Sequence, residues 1–116
     1  MDIYTDGHLD GLNGIGGVFA NSGYSLLKIK DKTLTINYLK QSLTNNEAEM
    51  LSIFHAIVLA KKNDTIFSDS QIAINLSKSG KSNEPRLQLI SIANKYLIDK
   101  KKIKLQWISR ENNPVT

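Results

Sequence analysis

The sequence contains no cysteine. Disulfides and thiolate metal sites are excluded, and a reducing, cytoplasmic setting is the expectation. It also lacks any apolar run near the ~20 residues needed to cross a bilayer. The longest, Ala56-Ile57-Val58-Leu59-Ala60, reads as the middle of a helix. No basic stretch leads into an apolar one at the start, so no secretory signal is expected. There is no internal repeat, low-complexity tract or linker. What remains is 116 residues with an apolar fraction of 41%. That composition argues against wholesale disorder, and the length suits a single domain spanning 1–116 with a modest core.

Fifteen Lys and Arg stand against eleven Asp and Glu, for a net charge of +4. A balance this mildly basic permits a polyanionic partner but does not require one. The lysines fall into three groups: Lys28, Lys30, Lys32 and Lys40; then Lys61 and Lys62; then Lys95, Lys100, Lys101, Lys102 and Lys104. Each group also fits a solvated face or a helix C-terminus.

Residues 2–6 alternate as a strand, with Ile3 and Thr5 on one side and Tyr4 and Asp6 on the other. Residues 7–17 hold five of the seven glycines and predict a loop, with His8 as an exposed member. No Gly-Lys-Ser/Thr follows, so this is not a phosphate-binding Walker loop. Val18-Phe19-Ala20 resumes a strand that Asn21-Ser22-Gly23 interrupts. Tyr24–Lys30 and Thr33–Leu39 form a hairpin turning at Asp31-Lys32. Residues 46–62 are apolar around most of a helix, capped by Thr44 or Asn46, with His55 packed or at its rim. Thr65–Asp69 is a short buried strand. Ser70–Lys78 is a helix with Ile72, Ala73 and Leu76 inward. Pro85 opens a last helix with Leu87, Leu89, Ile90, Ile92, Ala93 and Leu97 on its core face. Ile103–Ile108 is a final strand, and 109–116 is polar and irregular. The order predicts an α/β fold: three antiparallel strands, then parallel strands, in one five-stranded mixed sheet with flanking helices.

Three acids fall at element ends. Singly, Asp6-Gly7 is a turn signal, Glu49 pairs with a capping Asn46, and Asp69 is a plausible cap for the helix after it. Jointly, two end strands and one starts the buried helix. Parallel neighbours would bring those strand ends side by side, with the helix start at the same edge. Three carboxylates that close repel one another by several kcal/mol at an effective dielectric near ~20, so cations would be needed. All-oxygen ligands suit Mg²⁺ or Mn²⁺. Two such ions about 4 Å apart hydrolyse phosphodiesters, one activating water and the other stabilising the leaving oxygen.

These stretches resemble type 1 ribonucleases H. Ile3-Tyr4-Thr5-Asp6-Gly7 with Gly14-Ile15-Gly16-Gly17 is similar to the family's opening. Thr44-Asn45-Asn46-Glu47-Ala48-Glu49 resembles its Thr-Asn-Asn-x-x-Glu helix start. Phe67-Ser68-Asp69-Ser70-Gln71 resembles its third motif. Trp107-Ile108-Ser109-Arg110-Glu111-Asn112-Asn113 is similar to its Trp-Ile-x-Arg-Glu-x-Asn variant. The resemblance runs through essentially the whole chain, in order. It implies the ribonuclease H-like fold and a Mg²⁺- or Mn²⁺-dependent endonuclease that cuts the RNA strand of RNA–DNA hybrids, with two ions in a complete site. It implies Asp6, Glu49 and Asp69 as catalytic metal ligands. It places Asn45, Asn46 and Gln71 on the hybrid's minor groove and Thr44 near a DNA phosphate. Arg110, Glu111 and Asn113 are candidate auxiliary positions. Amides that both donate and accept suit the 2′-hydroxyls that mark RNA. No membrane and no small-molecule cofactor is implied, and the oligomeric state is left open.

The chain departs from the family in several places. Leu9 and Leu12 stand where small or polar residues often contact nucleic acid. The long basic protrusion of some members is absent. Arg110-Glu111 occupies the region of an assisting histidine. The pattern after Asn113 expects a fourth acid at position 117, one past Thr116, followed by a closing helix. Weakened metal binding and weak or no cleavage are therefore expected of these 116 residues, with the terminal carboxylate of Thr116 as one candidate stand-in. Two other readings stay open. One is a catalytically inactive ribonuclease H-like module that binds nucleic acid or protein. The other is a nuclease of this fold acting on DNA or structured RNA.

Overall fold

The computed structural model describes residues 1–12, 20–39 and 42–116. In chain order these form β1 (Asp2–Leu12), β2 (Ala20–Ile29), β3 (Lys32–Asn37), α1 (Asn45–Leu59), β4 (Thr65–Ser68), α2 (Gln71–Ser79), α3 (Pro85–Lys101) and β5 (Lys104–Trp107). A single 3₁₀ turn follows at Arg110–Asn112. The strands make one five-stranded sheet in the order β3-β2-β1-β4-β5. β1, β2 and β3 pair antiparallel, and β4 pairs parallel with both β1 and β5. This is the α/β mixed sheet expected from the order of elements.

The core lies on one face of the sheet. Ile3, Leu27, Ile66 and Leu105 point there and meet Met50, Ile53 and Ile57 of α1, Ala73 and Ile74 of α2, and Leu87 and Ile98 of α3. Register then places the site. Tyr4 pairs with Phe67, so the same register continued by two residues sets Asp69, just past the end of β4, beside Asp6. Asp6 does not end its strand as expected but lies midway along β1.

Several local expectations are corrected. The chain does not turn at Gly7: β1 runs on to Leu12, and Gly7 pairs with Ser25 of β2. The glycine meets a packing demand there, because a Cβ would collide with the Ala48 carbonyl of α1. Asn21-Ser22-Gly23 does not interrupt β2, since Ser22 and Gly23 pair with Asp10 and Leu9. A Cβ at Gly23 would meet the Tyr38 ring at 2.9 Å, so this glycine too admits a neighbour. The hairpin turns at Lys30-Asp31, one residue early, with Ile29 paired to Lys32 and Lys30 at φ 56°. The remainder of the glycine-rich stretch and Val18-Phe19 lie outside the described residues.

α1 starts as its sequence demands. Thr44 caps it by accepting from Glu47 N, and the Glu47 carboxylate returns to Thr44 N, completing a capping box. It stops at Leu59 rather than residue 62. The Lys101 ammonium takes up the carbonyls of Ile57, Val58 and Ala60 at 2.8, 3.2 and 2.9 Å, so the helix end is satisfied by a side chain from α3.

The inward faces of the two later helices also differ from expectation. α2 buries Ala73, Ile74 and Ser77 and leaves Ile72 57% exposed. α3 buries Leu87, Ser91, Asn94 and Ile98 and leaves Leu89 80% exposed. Polar side chains occupy the buried stripe because they have partners. Asn94 donates its amide to Met50 O at 3.3 Å and to Ser77 Oγ at 3.1 Å. Counting apolar residues therefore places Ala73, Leu76, Leu87, Ile90 and Leu97 against the core correctly, but it wrongly adds Ile72, Leu89 and Ile92 and misses the polar members of the stripe. On β5, Leu105 is buried while Trp107 stands half exposed.

α3 ends on Lys102 in the left-handed conformation, φ 55°. A side chain there costs about 1 kcal/mol relative to glycine. Lys102→Gly is expected to raise stability by about 0.5–1 kcal/mol, read as a higher urea midpoint at unchanged slope.

Candidate active site

β1 delivers Asp6, the second turn of α1 delivers Glu49, and Asp69 follows directly on β4. One carboxylate oxygen from each lies within 4.8 Å of the others. Local chemistry leaves all three free for this edge. Thr44 rather than Asn46 caps α1, so Glu49 has no capping duty. Ser70 rather than Asp69 caps α2, accepting from Ala73 N at 3.1 Å. Gly7 N donates to Glu49 Oε1 at 3.1 Å, bridging the two elements that carry the first two acids.

The electrostatics of this cluster are strained. Burial pushes the Glu49 carboxyl up to about 9, helped by the charge of Asp6 beside it. Burial also raises Asp6, while the adjoining Glu49 carboxyl and the nearby His8 pull the other way. The second Glu49 oxygen, Oε2, is buried without a hydrogen-bond partner. An orphaned carboxyl oxygen among three converging acids fits a hard divalent cation.

A cleft of about 600 Å³ opens over the cluster, walled also by Asn45, Ser70 and Arg110. Asn45 is exposed at its rim, whereas Asn46 is half-buried and Gln71 exposed at the start of α2. The Thr44 hydroxyl is engaged in the cap and lies 3.3 Å from Glu47 Oε1. Arg110 and Glu111 are exposed in the 3₁₀ turn. Asn113 is buried and points away from the cleft. Its amide donates to Thr5 O at 3.2 Å and its oxygen accepts from Val115 N at 3.3 Å. The tail is thereby pinned to β1 next to Asp6.

His8 was not expected at the cleft from the sequence, and Thr116 meets Asp69 by its hydroxyl, where the expectation named its terminal carboxylate. His8 is half-buried on β1 rather than exposed in a loop. Its Nε2 lies 3.3 Å from Asp6 Oδ2 and 3.2 Å from Val115 O. Both neighbours are acceptors, so Nε2 carries the proton. The ring stacks on Tyr24 at 5.1 Å. The period of two from Asp6 to His8 is the signal that would have found it, had the strand been read past Gly7. Thr116 donates its hydroxyl to Asp69 Oδ2 at 2.9 Å, and Trp107 Nε1 donates to Asp69 O at 3.3 Å. No local pattern announces either contact.

The family model of RNase H matches residues 1–113. The chain belongs to the RNase H family. Two solved structures illustrate the likeness of this RNase H chain to known ones. LC11-RNase H1 in complex with RNA/DNA hybrid is 21% identical, with a TM-score of 0.67 over 97% of this chain and 88% of that one. LC11-RNase H1 isolated from compost by a metagenomic approach is 20% identical, with a TM-score of 0.66 over 97% of this chain and 86% of that one. At such identity the likeness establishes the fold. No curated protein sequence matches.

Proposed function

We propose that this RNase H chain is a metal-dependent endonuclease that hydrolyses the RNA strand of RNA–DNA hybrids. The observation that carries this reading is the meeting of Asp6, Glu49 and Asp69 with one buried carboxylate oxygen left unpartnered. These three would hold Mg²⁺ or Mn²⁺, two ions in a complete site. Such ions supply Lewis acidity, which favours ionisation of an attacking water and offsets charge on the leaving oxygen.

The chain's own part is to fix and neutralise. Asp6 sits within β1, a central strand paired on both sides, with a carboxylate oxygen within 4.8 Å of those of the other two. Gly7 N holds one oxygen of Glu49 and leaves the second directed at the cluster. His8 and Thr116 orient Asp6 and Asp69 by their hydrogen bonds. Asn45 and Gln71, exposed near the cluster on two different helices, suit the 2′-hydroxyls and groove edges of a hybrid. Exposed lysines add affinity that weakens with salt. The complex of LC11-RNase H1 with RNA/DNA hybrid, at the same fold, supports that substrate class.

The test is cleavage of hybrid, duplex DNA and duplex RNA side by side in Mg²⁺ and in Mn²⁺. Hybrid alone is expected to be cut, in its RNA strand. Cleavage of duplex DNA or RNA at an equal rate would point to the broader nuclease reading. Hybrid binding with no cleavage in either metal would point instead to an inactive binding module.

A further inference from the structure

Ser25, Tyr38 and His55 take no direct part in this chemistry, yet they form one buried hydrogen-bonded chain. Tyr38 OH donates to Ala48 O at 2.9 Å. Ser25 Oγ donates to Tyr38 OH at 2.8 Å. His55 Nδ1 lies 2.9 Å from Ser25 Oγ. A hydroxyl has one proton. Tyr38 spends its proton on the carbonyl and Ser25 spends its own on Tyr38, so the proton between Ser25 and His55 belongs to His55 Nδ1. The chain then runs one way, from the half-buried histidine to a backbone carbonyl of α1. Ser25 is fully buried and Tyr38 nearly so, and such chains reinforce themselves away from water. The His55 ring also stacks on Tyr38, at 5.8 Å.

The carbonyl at the end of this chain sits at the junction of the site. Ala48 precedes Glu49, and its oxygen is the atom that Gly7, the residue after Asp6, must lack a Cβ to admit. The two acid-bearing backbones touch at this point, and the Tyr38 hydroxyl grips it from the side. Thr5 Oγ1 adds a second tie one turn on, donating to Ser52 O at 2.9 Å. An apolar hollow of about 370 Å³, lined by Ile36, Leu39 and Leu51 among others, lies beside the Tyr38 and His55 rings.

We infer that Tyr38, held by Ser25 and His55, is a positioning residue that sets the distance between Glu49 and Asp6 through the Ala48 carbonyl. This rests on the metal-dependent reading of the site. Tyr38→Phe keeps the ring and removes the grip. Loss of one hydrogen bond is worth about 1 kcal/mol, so Mn²⁺ affinity measured by calorimetric titration should fall about fivefold. Hybrid KM should change little, because Tyr38 is buried away from the cleft. In the metal-free variant, the Gly7 amide resonance should move as its bond to Glu49 lengthens. The His55 nitrogen spectrum should report the Nδ1–H tautomer in the wild type and a shift toward Nε2–H in the variant, since Ser25 is then free to donate to the ring. Ser25→Ala should shift Mn²⁺ affinity and the Gly7 amide in the same direction, more weakly, and serves if Tyr38→Phe folds poorly. A lower melting temperature with unchanged Mn²⁺ affinity and an unmoved Gly7 amide would overturn the inference and leave Tyr38 a packing residue. If the wild type binds no Mn²⁺, the functional reading fails, and the Gly7 amide alone decides whether Tyr38 positions Glu49.

Discussion

Glu49→Gln is expected to abolish cleavage and, at the same time, to stabilise the metal-free protein at pH 7–8. The two effects have one cause. Burial, with the charges of Asp6 and Asp69 beside it, moves the Glu49 carboxyl from an ordinary value of 4.5 up to about 9. Between those limits the folded state retains a proton that the unfolded chain has released. Stability from this group is therefore full below about pH 4.5 and falls as pH rises toward 9. Glutamine carries no charge to neutralise, so its advantage grows from nothing near pH 4 to roughly 2 kcal/mol at pH 7–8. For a chain of this size that is a rise of several degrees in Tm. Saturating Mn²⁺ should reverse the order. Ligand at about 100 times its Kd stabilises the wild type by about 2.7 kcal/mol, and the variant, lacking one ligand, gains less. Activity should fall by roughly 10²–10³-fold or more, the scale of losing one preorganised electrostatic partner. Melting curves at pH 4.5 and 8, with and without Mn²⁺, check the stability half of this result. A variant less stable than the metal-free wild type at pH 8 would mean that Glu49 is a structural acid.

Gly7→Ala is expected to be the most damaging small change. The added methyl group would meet the Ala48 carbonyl and approach Glu49 N to 3.0 Å. Both are backbone atoms of α1, which packs on the strand, so no side chain can rotate aside. Either α1 lifts from β1 or β1 distorts beside Asp6. Overpacking of this kind costs about 2–3 kcal/mol. It should also break the bond from Gly7 N to Glu49 and lower Mn²⁺ affinity by roughly tenfold. Urea unfolding gives the first number and calorimetric titration the second. A fully stable Gly7→Ala protein with wild-type metal affinity would show that the close contact is not what sets the cluster.

The two predictions meet at the same few atoms, and they separate what local pattern carries from what it does not. Alternation at Ile3–Asp6, the Thr44 and Glu47 capping box and the apolar strand Thr65–Ser68 are short-range facts. Each dictates an element from neighbours a few residues away. The order of those elements, with a helix between two strands, then constrains β4 to lie parallel to earlier strands. Hence the three acids were legible as a set, and so was the mixed sheet. Gly7 was misread as a turn because a glycine that frees φ and a glycine that admits another backbone look identical in one dimension. His8 was misplaced as a consequence. The inner faces of α2 and α3 were read only in part, because Asn94 and Ser77 are buried with partners from other elements, which hydrophobic periodicity cannot register.

The sequence alone determined the kinds of element, their order and the acids Asp6, Glu49 and Asp69 as a set, because capping and alternation act over one turn or one strand. Only the tertiary structure decided that His8 meets the Val115 carbonyl, that the Thr116 hydroxyl meets Asp69, that Asn113 pins the tail to β1, and that Tyr38 grips the carbonyl between the acid carriers. Those contacts span 107, 47, 108 and 10 residues of chain. They depend on the register of β1 against its neighbours and on how closely α1 can approach it, neither of which local sequence encodes.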